Sequence, residues 1–78
     1  MSWFSLTFLL VIFQNTDCSL YKALHVFDAQ HHDELSLKIG SIVEVTQKMN
    51  NDWWQGRLLG DSSGKEGMFP AAFVHKLN

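Results

Sequence analysis

The side chains in this chain that could act on another molecule are aromatic and acidic, and they favour recognition over catalysis. Trp53 and Trp54 are adjacent, and neighbouring residues of a β-strand point to opposite faces of the sheet. A domain of this size cannot bury two large indoles deeply, so we expect one of them to stay at the surface. Exposed tryptophans are frequent energetic centres of protein interfaces. The pair therefore predicts a binding surface.

A polar cluster earlier in the chain is the only candidate for acid–base or metal chemistry. It consists of Asp28, His31, His32 and Asp33. No phosphate-binding loop accompanies it, and four histidines with one cysteine lack the paired spacing of a zinc site. We interpret the cluster as a solvated loop, and we expect no enzymatic activity, no cofactor and no metal.

Composition predicts one small, ordinary globular domain. The chain has 78 residues, 46% of them hydrophobic, and a net charge of −2. No basic surplus is present to attract nucleic acid or an anionic membrane. The lone Cys18 cannot form an internal disulfide, which favours a reducing, cytoplasmic location.

The first 19 residues differ from the rest, and we expect them to lie outside a domain spanning residues 20–78. Residues 3–13 are uncharged and apolar but too short to cross a bilayer, which takes about 20 residues. They resemble the apolar part of a signal peptide but lack a preceding Lys or Arg and a small-residue cleavage site. Three interpretations stay open: an apolar arm that packs on the domain, the start of a truncated or alternative product, and a signal peptide.

From residue 20 onward, short alternating runs separated by turns indicate an all-β domain. The predicted strands are Leu20–Phe27, Ile42–Thr46, Trp53–Leu58, Glu66–Phe69 and Phe73–Leu77. Gly40 supplies a permissive turn backbone, and Pro70 ends the fourth strand because it has no N–H for the ladder. Five short strands without a helix predict a small barrel or sandwich.

Several motifs in this order resemble those of an SH3 domain. Ala-Leu-His-Val-Phe at residues 23–27 matches the family's A-L-Y-D-Y, and residues 33–37 match D-E-L-S-F. Residues 40–45 match G-D-x-I-x-V, residues 53–57 match W-W-x-G-R, and residues 67–74 match G-x-F-P-x-N-Y-V. The resemblance implies a five-stranded SH3-like barrel with a short 3-10 turn before the last strand. It covers residues 20–77.

SH3 domains bind proline-rich segments, which lie as polyproline II helices across aromatic grooves. Carried onto this chain, the resemblance implies walls from aromatic side chains and Pro70, with Glu34 and neighbouring Asp33 selecting a basic ligand residue. The implied ligand-contacting residues are His25, Phe27, Asp33, Glu34, Trp53, Met68, Pro70, Ala72 and Phe73.

Four of these positions depart from the family pattern, since His25, Phe27 and Phe73 replace tyrosines and Ala72 replaces asparagine. Each lost hydrogen bond is worth about 0.5–1.5 kcal/mol, so we expect binding weakened by about tenfold or more. A phenylalanine at the position of Phe73 is associated in this family with ubiquitin binding, which gives a second hypothesis. A third is a secreted SH3-like protein, although one cysteine argues against it.

The resemblance also suggests a parent protein. The chain ends soon after the closing strand, as expected for the C-terminal SH3 domain of a larger adaptor, scaffold or Rho-type guanine-nucleotide exchange factor. We expect a monomer whose partners are proline-rich segments or ubiquitin, with no nucleic acid and no membrane insertion.

Overall fold

Alternating inward and outward side chains form the strands of a single antiparallel sheet in the computed structural model, which describes residues 19–77. The strands are β1 (Ser19–Ala23), β2 (Ile42–Lys48), β3 (Trp53–Leu58), β4 (Glu66–Pro70) and β5 (Val74–Lys76), and a 3-10 turn at Ala71–Phe73 precedes β5. Their order across the sheet is β4-β3-β2-β1-β5. The prediction of an all-β fold with five strands and a 3-10 turn is confirmed. The interpretations of the apolar segment fall on residues outside those described.

The core is small and draws on a loop as well as on the strands. Its fully or nearly fully buried side chains are Tyr21, Ala23, Leu35, Leu37, Val43, Val45 and Phe69. Leu35 and Leu37 come from the long connection between β1 and β2. Because this loop contributes to the core, it cannot move freely away from the sheet.

The predicted first strand was too long at its C-terminal end. β1 ends at Ala23, where the Leu24 N–H donates to the Phe73 carbonyl over 2.8 Å. Phe27 forms only an isolated bridge with Leu37. Tertiary pairing with the 3-10 turn therefore diverts the chain into the loop before the alternating pattern ends.

Other strand boundaries also differ from the predictions, since β1 begins at Ser19, β4 includes Pro70 and β5 ends at Lys76. β2 continues to Lys48 instead of ending at Thr46, because β3 supplies partners for Gln47 and Lys48 beyond a β-bulge. β5 begins at Val74, since Phe73 completes the 3-10 turn. Within residues 19–77, no helix is long and apolar enough to cross a membrane.

Candidate functional site

The two adjacent tryptophans lie on opposite faces, as the alternation rule predicts. The Trp53 ring lies 6.0 Å from the ring of Phe27, whereas the Trp54 ring lies 5.1 Å from that of Tyr21. Lys48 Nζ lies 4.6 Å from the centre of the Trp54 ring, in cation–π geometry. Both indoles are half-buried. Trp54 supports the sheet, and Trp53 is directed toward the loop that carries Phe27.

Four aromatic rings form a continuous row along this loop. The His25 and Phe73 centroids are 5.5 Å apart, those of Phe73 and Phe27 are 6.1 Å apart, and Trp53 extends the row beyond Phe27. All three contacts are edge-to-face, a favourable geometry for aromatic pairs. Pro70 is the cross-strand partner of Trp53. The predicted wall residues are thus brought together.

The aromatic row carries no phenolic hydroxyl. The chain contains one tyrosine, Tyr21, and it is buried in the core with 6% of its surface exposed. The surface offered by the four rings can therefore stack on apolar groups, and its side-chain hydrogen-bonding atoms are the nitrogens of His25 and the indole N–H of Trp53.

An acidic depression lies beside Trp53. It has a volume of about 240 Å³, and its lining consists of Asp33, Glu34, Asn50, Trp53 and Met68. A positively charged side chain could place its head group near the carboxylates and its stem against the indole and the thioether. The structure thus places the predicted Met68 with the predicted acidic pair.

The two carboxylates of this depression have different surroundings. Glu34 Oε1 accepts hydrogen bonds from the backbone N–H groups of Gln30, over 2.6 Å, and His31, over 3.2 Å. Within residues 19–77, the exposed Asp33 carboxylate has no hydrogen-bond partner from the protein and forms no ion pair. Glu34 therefore shapes the loop, and Asp33 is the freer group for an external cation.

The backbone of the acidic loop is fixed to β4. The Leu35 N–H donates to the Met68 carbonyl over 2.8 Å, and the Met68 N–H donates to the Asp33 carbonyl over 2.9 Å. Gly67 permits this approach, since a Cβ there would lie 2.8 Å from the Glu34 carbonyl carbon and the Leu35 nitrogen. The acidic wall is therefore held in place before any ligand arrives.

A second turn positions Trp53. Asn50 Oδ1 accepts hydrogen bonds from the N–H groups of Asp52 and Trp53, both over 2.8 Å. The Asp52 carbonyl in turn accepts the N–H of Ala71 over 2.8 Å, which joins this turn to the 3-10 turn. The sequence indicated a turn here but gave no sign of that connection.

A larger depression, of about 430 Å³, lies at this junction. Its lining consists of Asn51, Asp52, Trp53, Trp54, Pro70, Ala71 and Ala72. Sequence reasoning missed it, because its walls come from two segments that are distant in the chain. The only available signal was the alanine at position 72, where the resemblance implies an asparagine.

Positive charge is absent from the segments that build these surfaces. Residues 23–37, 49–56 and 67–75 contain no Lys or Arg, whereas they carry Asp28, Asp33, Glu34 and Asp52. Arg57 lies elsewhere, with its Nε 3.2 Å from Glu44 Oε1. The field around the aromatic row therefore favours cationic partners.

The predicted solvated cluster has no special geometry. Asp28, His31, His32 and Asp33 are all exposed. Among the residues described, no three His, Cys, Asp or Glu side chains are grouped so that they could hold a metal ion.

Comparison with known proteins identifies relatives for most of the described chain. A family model described as SH3 domain matches residues 22–71. Nostrin of Rattus norvegicus is 47% identical over 58 residues, and the match covers 74% of this chain and 11% of Nostrin. The myosin IC heavy chain of Acanthamoeba castellanii is 43% identical over 53 residues, which cover 68% of this chain and 4% of the myosin. The chain thus spans about a tenth or less of these relatives.

A solved structure has the same fold. It is the C-terminal SH3 domain of myosin IB from Entamoeba histolytica, bound to a peptide named EhFP10(GEF). The TM-score is 0.69 and the identity 32%, and the match covers 81% of this chain and 98% of the other.

Proposed function

This chain belongs to the SH3 domain family, and we propose that it is a non-catalytic module that binds proline-rich segments in the polyproline II conformation. The observation that supports the proposal is the row of four aromatic rings from His25 to Trp53, with Pro70 beside Trp53. Flat rings about 6 Å apart leave shallow slots between them, and a polyproline II ligand presents proline rings at a regular spacing. Such a ligand is already extended, so its ordering costs little entropy.

Asp33 is the group we assign to the selection of a basic residue beside the prolines. Asp33 lines the depression next to Trp53, and no cation of the described residues forms an ion pair with its carboxylate. Glu34 contributes its negative charge, but Oε1 already accepts two backbone N–H groups. A charge-assisted contact with Arg or Lys would therefore depend mainly on Asp33.

The domain is proposed to act as a monomer in the cytoplasm, as an interaction module of a larger adaptor, scaffold or Rho-type exchange factor. The lone cysteine supports the location, and the SH3-containing relatives support the setting. The peptide-bound neighbour supports a peptide as the ligand.

Ubiquitin is a second candidate partner for the same surface. The observation that favours it is the absence of phenolic hydroxyls along the row, with Phe73 at its centre. An apolar surface of this kind suits an aliphatic patch, because it has few groups that need a hydrogen-bond partner.

A peptide array probed with the full chain tests the proposal directly. It should contain proline-rich peptides with and without a flanking Arg, scrambled versions of each, and immobilised ubiquitin. We expect the parent chain to be retained selectively on the Arg-bearing proline-rich peptides, and we expect the Trp53→Ala variant not to be retained on them. Equal retention on scrambled peptides, or retention that Trp53→Ala leaves intact, would refute the groove assignment. Retention on ubiquitin alone would favour the second candidate.

A further inference from the structure

The larger depression is lined by an acidic residue that the proposed function does not use. Asp52 lies in its lining, on the 3-10-turn side of Trp53, while Asp33 and Glu34 line the smaller depression next to the same indole. Trp53 is the one residue that lines both depressions. We propose that this domain selects ligands with two basic residues, one bound on each side of Trp53. This inference rests on the proposed function.

The Asp52 backbone is held in place, and its carboxylate is unpaired among the described residues. Its backbone N–H donates to Asn50 Oδ1 and its carbonyl accepts the Ala71 N–H, so the residue is fixed on both sides. Within residues 19–77, its carboxylate has no hydrogen-bond partner and forms no ion pair. A cationic head group arriving there would displace only solvent.

The other walls suit the stem of a long basic side chain. The depression has a mainly apolar lining, and its volume of about 430 Å³ falls within the range of ligand pockets. Its apolar lining residues are Trp53, Trp54, Pro70, Ala71 and Ala72. Arg buries its methylene groups against such walls while its guanidinium stacks on an indole or pairs with a carboxylate. Alanine at position 72 adds only a methyl group, so the depression stays open.

Charge complementarity selects a cation as the occupant. The segments around both depressions, residues 23–37, 49–56 and 67–75, contain no Lys or Arg. Lys48, just outside them, lies over the Trp54 ring and forms no ion pair with Asp52. An acidic ligand residue would meet Asp52 without a compensating positive charge. A neutral residue would leave the carboxylate partly desolvated and unpaired, which is unfavourable.

Calorimetric titration of the full chain with a designed peptide series tests this inference. The parent peptide is proline-rich and carries one Arg, and each other peptide has a second Arg at one position along the far side of the proline motif. We expect at least one position to raise affinity about threefold to tenfold, and a rise in salt to reduce the gain. Asp52→Asn should remove the gain while the one-Arg peptide binds as before.

Asp61→Asn is the matched control, because it removes the same charge at the other end of the β3–β4 hairpin. β3 spans six residues, so Asp61 lies about 20 Å from Asp52, beyond the screening length at physiological salt. This variant should keep the gain, and Ala72→Asn should shrink it by filling the depression. A gain that survives Asp52→Asn, or no gain at any position, would overturn the inference alone. Failure of the one-Arg peptide to bind the parent chain would overturn the proposed function and this inference with it.

Discussion

The replacement of each tryptophan by alanine should separate ligand binding from stability. Trp53→Ala removes one edge-to-face partner of Phe27, and such a pair contributes about 0.5–1.5 kcal/mol. Trp54→Ala removes the ring that packs on buried Tyr21, together with an indole N–H bond of 3.1 Å to the Asn50 carbonyl. Because Trp54 is half-buried, we expect a loss of about 2–3 kcal/mol, below the range for fully buried aromatics.

The two substitutions should affect peptide affinity in the opposite order to stability, with the larger loss for Trp53→Ala. Trp53 lies between both depressions and next to Pro70, and truncation of a central aromatic anchor costs about 2–4 kcal/mol of binding free energy. Loss of Trp53 should therefore weaken a proline-rich peptide by about 30-fold to several hundredfold. Trp54 has no ring in the aromatic row, so its loss should weaken the peptide far less.

The assay combines thermal unfolding with peptide titration at a temperature where both variants are folded. For a domain of this size, about 1 kcal/mol lowers Tm by about 4–8 °C, so Trp54→Ala should show the larger fall in Tm of the two variants. The reasoning would be refuted if Trp53→Ala lost more stability than Trp54→Ala while the two variants bound peptide equally.

Three further predictions follow from the same contacts. Asp33→Asn should selectively lower the affinity for Arg-bearing peptides, and the effect should shrink at high salt; an equal loss of affinity for neutral peptides would show that Asp33 is only a solvated charge. Glu34→Lys should also lower Tm, because Glu34 Oε1 holds the loop. Phe73→Tyr combined with Ala72→Asn should strengthen the binding of a one-Arg peptide by about 1 kcal/mol, whereas Phe73→Tyr should weaken any binding of ubiquitin. NMR titration with both ligands measures these affinities. Unchanged affinities would exclude the missing hydrogen bonds as the cause of weak peptide binding. The Ser63 N–H and hydroxyl, with help from Lys65, hold the pKa of Asp61 below its ordinary value. The stability that ionised Asp61 contributes is therefore present above about pH 4 and lost as the pH falls through the lowered pKa. The difference in Tm between the parent and Asp61→Asn should therefore vanish in acid. A difference in Tm that persists in acid would contradict this assignment.

The parts of the fold that follow a local rule could be predicted from the sequence. Period-two alternation placed Trp53 and Trp54 on opposite faces, and the glycine at position 40 marked a turn where the backbone has φ +90°. The aromatic row was anticipated because the motif resemblance supplied the order of its residues.

The remaining features depend on contacts between distant segments. Strand β1 ends at Ala23 because Leu24 pairs with Phe73, far along the chain. Glu34 was predicted as a ligand group, yet one of its oxygens organises the loop through Gln30 and His31. The depression at Asp52 lies where two distant segments meet, joined by the hydrogen bond from the Ala71 N–H to the Asp52 carbonyl. Composition and spacing carry no information about such pairings.

The neighbouring positions of β1 and β5 affect how this domain can be joined to other units. The Leu77 N–H donates to the Leu20 carbonyl, so the chain enters and leaves the sheet at one end of the β1–β5 pair. His25 and Phe73 flank the other end of that pair, about five residues or 16 Å away. A fused domain or a flexible linker attached at residues 19 and 77 would therefore leave the aromatic row accessible. Two copies joined in tandem could each hold a peptide, so a partner with repeated motifs would gain avidity set by the linker length.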